Sequence, residues 1–116
     1  MDAALNGPSG RTALGPAVLT IGRAPTNALV VNDVKASSRH AEISPAGSGY
    51  NITDMGSTNG TFINEQRLDR NVPRMLNAGD RVRIGDTVFT YEGPGAFQQD
   101  ATVYAGQGSD PADRIQ

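Results

Sequence analysis

Apolar and polar residues alternate along most of the chain in short runs, a pattern typical of half-buried β-strands. Seven runs show it strongly: PAVLTIG (16–22), ALVV (28–31), RHAEIS (39–44), GYNIT (49–53), GTFIN (60–64), RVRIG (81–85) and TVFTYE (87–92). Four weaker runs are AAL (3–5), RTAL (11–14), EQRL (65–68) and RML (74–76). No longer window has apolar residues at helical spacing, so the pattern predicts strands and no substantial helix.

Turn-forming residues separate these runs. Asn-Gly occurs at 6–7 and 59–60, Pro-Ser-Gly at 8–10, Pro-Ala-Gly-Ser-Gly at 45–49 and Ala-Gly-Asp at 78–80. Short strands with turns between them and no helical crossovers are typical of sandwich folds. The sequence therefore predicts an all-β protein, an antiparallel β-sandwich of about eleven short strands.

The alternation ends after Glu92. Residues 93–116 are rich in Gly, Gln, Ala and Asp and show no sustained pattern. We expect one folded domain over residues 1–92 and a flexible C-terminal tail or linker over residues 93–116.

Composition narrows the classes of function. The chain has 116 residues and a net charge of −2, which argues against a nucleic-acid partner. No apolar run is long enough to cross a membrane, and the first residues show no basic segment followed by an apolar one, so we expect no membrane insertion and a cytoplasmic location. With no cysteine and a single histidine, the sequence predicts neither a metal nor a cofactor. Nine arginines against one lysine favour a bacterial source.

Polar residues that a core cannot use are concentrated at the ends of the predicted strands. They are Gly22-Arg23, the run SSRH (37–40), the run DMGSTNGT (54–61) and Ile63-Asn64. Taken singly, each has an ordinary explanation as a solvated arginine, a turn or a hydrogen-bonded structural histidine. A Ser37–His40 catalytic pair is a second hypothesis; Asp54 is then the only plausible acid to orient the histidine.

Taken together and in order, these segments resemble the forkhead-associated (FHA) domain. The resemblance is carried by IGR (21–23), SSRHAEI (37–43), DMGSTNGTFIN (54–64) and LNAGDRVRIG (76–85), and it covers about residues 17–92. It implies an eleven-stranded sandwich of the SMAD/FHA type whose loops at one end bind phosphothreonine peptides. It also implies a non-enzymatic adaptor in signalling downstream of a Ser/Thr protein kinase.

The resemblance also implies which residues bind the phosphopeptide. Arg23 matches the cation, and Ser37 and Thr58 match the hydroxyl donors that reach the phosphate. Asn59 matches the asparagine whose amide binds the peptide backbone. Ser38 also belongs to the predicted phosphopeptide-binding set, although it is a departure because the family often has Arg, Lys or Asn there. We expect the phosphate to be bound more weakly, or with more dependence on hydroxyl donors.

Three further residues are expected to support the site. The resemblance implies that Gly22 and Gly60 shape the backbone and that His40 holds the binding loops together without touching phosphate. A structural role for His40 is favoured over the catalytic pair because catalysis would also require an oxyanion hole.

Two alternatives remain open at this stage. The domain could act as a phosphate-independent interaction or oligomerisation module, with an unused pocket. Thr102, in the segment DATVYAG (100–106), is a candidate phosphoacceptor that could bind the domain's own site, although a plain linker is the simpler interpretation.

Overall fold

Residues 3–93, the part of the chain that the computed structural model describes, form eleven strands. In chain order they are β1 (Ala3–Gly7), β2 (Gly10–Leu14), β3 (Leu19–Gly22), β4 (Leu29–Val30), β5 (Ala41–Ala46), β6 (Gly49–Asp54), β7 (Thr61–Ile63), β8 (Gln66–Arg67), β9 (Arg74–Met75), β10 (Arg81–Ile84) and β11 (Thr87–Glu92). Each strand falls on one of the eleven alternating runs, which confirms the predicted fold class. Within this range no helix has the length and hydropathy to cross a membrane.

The strands form two sheets packed face to face. The first has the order β2-β1-β11-β10-β7-β8 and the second the order β4-β3-β5-β6-β9. All pairs of strands are antiparallel except β3 and β4, which run parallel with Ile21 opposite Leu29. The chain folds back along β3 before entering β4, and the Ala28 N–H donates to the Thr20 hydroxyl at 2.9 Å.

The core lies between the sheets and follows the alternation of the strands. In β11, Phe89 and Tyr91 face inward while Val88 and Thr90 face solvent. The largest fully buried apolar side chains are Tyr91, Leu5, Ile21, Ile43, Ile52, Ile63, Leu76, Ile84 and Val82. Burial of such side chains contributes about 1.5–3 kcal/mol each, and it is this layer that fixes the register of the strands.

One end of the sandwich, here called the loop end, gathers the loops that carry the predicted site. In the second sheet, Ala41 pairs with both Ile21 and Asp54, so β3 ends, β5 begins and β6 ends at the same edge. In the first sheet, Ile84 pairs with both Thr61 and Thr87. The far end carries the opposite turns, at residues 47–48 and 64–65.

Candidate functional site

The backbone of Gly22 and Arg23 lies directly against the serine segment. The Arg23 N–H donates to the Ser37 carbonyl at 2.9 Å, and the Ala24 N–H donates to the Ser38 carbonyl at 3.2 Å. A β-carbon at Gly22 would lie 2.2 Å from that Ser38 carbonyl oxygen, which explains why glycine occupies the position. The Arg23 side chain is exposed and forms no ion pair or hydrogen bond with any described residue.

A buried amide fixes this contact between the loops. The Asn27 side chain donates to the Ser38 carbonyl at 2.6 Å and to the Ala24 carbonyl at 2.8 Å. Asn27 is 8% exposed, so both bonds are largely shielded from water. The sequence interpretation had assigned Asn27 no role; its only signal was a turn-like Pro-Thr-Asn segment.

Ser37 and Ser38 differ in what their hydroxyls can do. The Ser37 hydroxyl oxygen accepts a hydrogen bond from the Thr58 N–H at 3.0 Å, which orients it and leaves its own proton available for an acceptor. The Ser38 side chain is exposed, and the hydrogen bonds at this residue go to its carbonyl. The loop therefore fixes the Ser37 hydroxyl more tightly than the Ser38 hydroxyl.

His40 is fully buried and links the two main loops. Its Nδ1 accepts from the Ser37 N–H at 3.0 Å, and its Nε2 lies 2.9 Å from the Gly60 carbonyl. Because an amide N–H only donates and a carbonyl only accepts, the ring must carry its proton on Nε2. Both ring nitrogens are bonded to backbone groups, so neither faces the Ser37 hydroxyl as a general base would.

The loop from Asp54 to Thr61 is folded around one buried carboxylate. Asp54 accepts from the Ser57 hydroxyl at 2.6 Å, from the Thr61 hydroxyl at 2.8 Å, and from the N–H groups of Gly56 and Ser57. Burial by itself would raise the pKa of Asp54, but these hydrogen bonds together lower it below its usual value. The carboxylate does not orient His40, so the acid that a catalytic pair would require is occupied elsewhere.

Asn59 and Gly60 stand at the tip of that loop. The Asn59 side-chain amide donates to the Lys35 carbonyl at 2.8 Å; the residue is exposed, and its side-chain oxygen forms no hydrogen bond with a described residue. Gly60 has a φ of +89°, in the left-handed region that favours glycine. Its N–H donates to the Ser57 hydroxyl at 3.0 Å, so the loop is closed on both sides of Asn59.

Asp33 connects the serine loop to the first sheet. Its carboxylate accepts from the Lys35 N–H at 2.9 Å, the Asp86 N–H at 2.8 Å and the Thr87 hydroxyl at 2.9 Å. These bonds, led by the one from Lys35, lower the pKa of Asp33. Gly85 must be glycine because a β-carbon there would lie 2.6 Å from the Asp33 carboxylate. The sequence interpretation missed this residue.

The structure thus brings most of the predicted site residues to the loop end. They are Gly22, Arg23, Ser37, Ser38, His40, Thr58, Asn59 and Gly60. Thr102 lies outside the described residues. The exposed groups are a guanidinium, hydroxyls and an amide, while the carboxylates of Asp33 and Asp54 are held by N–H and O–H donors. Such a surface can bind an anion; between residues 3 and 93 no cluster of acidic and histidine side chains could hold a metal ion.

Known proteins are similar to this chain in sequence and in structure. Residues 19–85 match the family model of the FHA domain. The FHA domain-containing protein FhaB of Mycolicibacterium smegmatis is 44% identical over 79 residues, which are 68% of this chain and 50% of FhaB. The chain therefore spans about half the length of this curated relative.

Two solved structures share the fold. An FHA domain solved in a study of phosphothreonine-dependent FHA domain interactions has a TM-score of 0.73 at 26% identity, covering 82% of this chain and 99% of its own. EmbR of Mycobacterium tuberculosis, solved with a low-affinity phosphopeptide, has a TM-score of 0.71 at 34% identity, covering 78% of this chain and 24% of EmbR.

Proposed function

This chain belongs to the FHA domain family, and on that basis we propose that it binds phosphothreonine-containing peptides. In this proposal the domain is a non-enzymatic adaptor that a Ser/Thr protein kinase controls by phosphorylating the partner. The observation that carries the proposal is the convergence at one end of the sandwich of exposed donor groups on loops held from beneath by buried hydrogen bonds. One similar structure comes from a study of phosphothreonine-dependent FHA domain interactions, and another was solved with a phosphopeptide.

The phosphate would be bound by Arg23, Ser37 and Thr58. A phosphothreonine carries about −1.5 to −2 charges at neutral pH and three strong acceptor oxygens. An exposed guanidinium without a carboxylate partner can meet two of these oxygens at once. The orientation of the Ser37 hydroxyl by the Thr58 N–H supports its role as a donor to the phosphate.

The peptide backbone would be bound by Asn59. One amide N–H holds the Lys35 carbonyl, and this bond sets the side chain in a defined orientation. The remaining N–H and the carbonyl oxygen can then pair with a peptide C=O and N–H. A side chain fixed before binding loses less rotamer entropy when the peptide arrives, which favours affinity.

The test is phosphopeptide binding by an Arg23→Ala variant, measured by fluorescence anisotropy with a phosphothreonine peptide library. Since hydrogen bonds to a charged group contribute about 1.5–3 kcal/mol each, we expect binding to weaken about 100-fold. The unphosphorylated peptides should not bind. Arg81→Ala is the matched control, because Arg81 is exposed, forms no ion pair with a described residue and lies at the far end. Equal binding by both variants would contradict the proposal.

The same assay separates this proposal from the alternative of a phosphate-independent interaction or oligomerisation module. Under that alternative a partner would still bind after Arg23→Ala and after removal of the phosphate. The compartment implied by a kinase-controlled adaptor is the cytoplasm.

Residues 93–116 are proposed as a tail or linker outside the domain of residues 1–92. In this segment Thr102 is the proposed phosphoacceptor, since a tethered phosphothreonine would have a high effective concentration at the site. After incubation with a Ser/Thr kinase, mass spectrometry should find phosphate on Thr102 and none on this peptide in a Thr102→Ala chain. An unmodified Thr102 would contradict the proposal that the domain binds its own tail.

A further inference from the structure

Arg67 borders the proposed peptide-binding loop. The residue lies in the edge strand β8, opposite Phe62 of β7, and its side chain crosses the face of Gly60. A β-carbon at Gly60 would lie 2.7 Å from the Arg67 Nε and 3.1 Å from its Cζ. Gly60 directly follows Asn59, so the Arg67 side chain lies against the chain neighbour of the residue proposed to bind the peptide backbone.

This guanidinium has no acidic partner among the described residues, although carboxylates are near in sequence. Glu65 is bound by Arg83, with its Nε 3.1 Å from both carboxylate oxygens and its Nη2 3.0 Å from one. Asp69 lines the same surface cleft as Arg67 and forms no ion pair with it. An exposed arginine that packs against backbone and retains its donors is available for an acceptor on another molecule.

Unpaired arginines are concentrated at the loop end. Of the arginines in the described part of the chain, Arg11, Arg39, Arg74 and Arg83 form ion pairs. Those without an ion pair there are Arg23, Arg67, Arg70 and Arg81. Arg23 and Arg67 adjoin the binding loops, the backbone of Arg70 forms a β-bridge with that of Asp54 at the same end, and only Arg81 of these four is at the far end. A chain with a net charge of −2 thus presents cations where a peptide would lie.

A cleft beside Arg67 gives room for a flanking side chain. It lies between the edge strands β8 and β9, has a volume of about 250 Å³, and Arg67, Asp69, Val72 and Arg74 are among its walls. The Arg74 Nη1 is buried without a hydrogen-bond partner and lies 3.6 Å from an Asp80 oxygen. Arg67 is an exposed donor on the wall of this cleft, so an acidic side chain that enters the cleft can pair with its guanidinium.

From this placement we propose that Arg67 selects peptides with an acidic residue flanking the phosphothreonine. The partner is then a doubly anionic segment: its phosphate contacts Arg23 and Ser37, its backbone passes Asn59, and its Glu or Asp pairs with Arg67. The inference rests on the proposed phosphopeptide binding, and it names the residue that discriminates among phosphopeptides. An exposed ion pair of this kind contributes about 1 kcal/mol at most, so the preference should be about three- to fivefold.

The test compares phosphothreonine peptides with Glu or Gln placed in turn at each position on either side of the phosphothreonine. Wild type should bind one Glu peptide about three- to fivefold more tightly than its Gln partner. Arg67→Gln should bind both equally, at the affinity of the wild type for the Gln peptide. Arg81→Gln, the same change at the far end, should keep the full preference. In wild type labelled with 15N, the Glu peptide should shift the Arg67 Nε–Hε resonance in NMR spectra and the Gln peptide should not.

Three results would overturn the inference: no Glu preference in wild type, a preference that survives Arg67→Gln, or one that Arg81→Gln removes equally. Should Arg67→Gln fail to fold, the Arg67 resonance in wild type decides, since its position must respond to Glu and not to Gln. Binding that does not depend on phosphate would instead refute the proposed function itself. Retained phosphate dependence with no Glu preference would refute only the role of Arg67.

Discussion

The loop end contains two sets of polar residues with opposite behaviour. The buried polar layer, made of His40, Asp54, Ser57 and Thr61, is at most 1% exposed. The exposed rim consists of Arg23, Ser38, Thr58 and Asn59. Side chains of the layer direct their polar atoms to loop backbone or to one another, whereas rim side chains keep most of theirs toward solvent.

The two sets therefore contribute to different free energies. A buried donor or acceptor that loses its partner costs about 1–3 kcal/mol, so the layer contributes mainly to folding. An exposed polar group is hydrated in the free protein, so its replacement changes folding stability by only about 0.5 kcal/mol. Its donors contribute to the free energy of binding only when a ligand displaces the water. Changes in the layer should thus affect unfolding first, and changes in the rim should affect binding first.

The largest effect is expected from Asp54→Ala, which breaks the buried layer. The carboxylate accepts from two hydroxyls and two backbone N–H groups, and its loss leaves these donors without a partner. We expect the free energy of unfolding to fall by about 3 kcal/mol and Tm to fall by about 15 °C. Urea unfolding and thermal melts measure both. The exposed Asp69→Ala is the control and should change stability by about 0.5 kcal/mol or less.

The Asp54 carboxylate also makes the free energy of unfolding depend on pH. The pKa of Asp54 is lowered from 3.8 in the folded protein, so its contribution is fully present above the unfolded pKa. The contribution disappears as pH falls below 3.8 and the carboxylate is protonated. Stability should therefore decline more steeply in wild type than in Asp54→Ala on acidification below that pH. A residual decline remains in the variant because the pKa of Asp33 is lowered too.

Sequence patterns predicted the strands well because alternation is a local property. Each strand needs only that its own residues alternate between core and solvent, as in β11. The parallel pairing of β3 with β4 was not predicted, since it depends on how the chain folds back at Thr20 and Ala28. Pairing direction is a tertiary property that the pattern of a two-residue strand does not encode.

The candidate site was identified in part. The motif residues of the rim followed from the FHA resemblance, and their loops meet as that resemblance implies. Asn27 and Asp33 were missed because each acts through bonds to backbone groups of distant residues, and any chain position can supply such groups. Arg67 was not singled out for a similar reason: its contact with Gly60 exists only once β8 pairs with β7.

The smallest effect is expected from a change in the exposed rim. Ser38→Lys adds a cation at a position where the family often has one, on a side chain that is exposed and makes no hydrogen bond in the described part of the chain. We expect phosphopeptide affinity to rise about threefold at low salt, an increase that added salt should reduce, while stability stays within about 0.5 kcal/mol. Isothermal titration at two salt concentrations measures the change.

Ser48→Lys is the control for net charge, because Ser48 is exposed in the turn at the far end. An equal gain in affinity from Ser48→Lys would mean that the whole field of the protein attracts the peptide. A gain confined to Ser38→Lys would mean that the added charge acts at short range on the phosphate. A large loss of stability in Ser38→Lys would show that the rim and the buried layer are not separable, because the Ser38 carbonyl is held by the Asn27 amide.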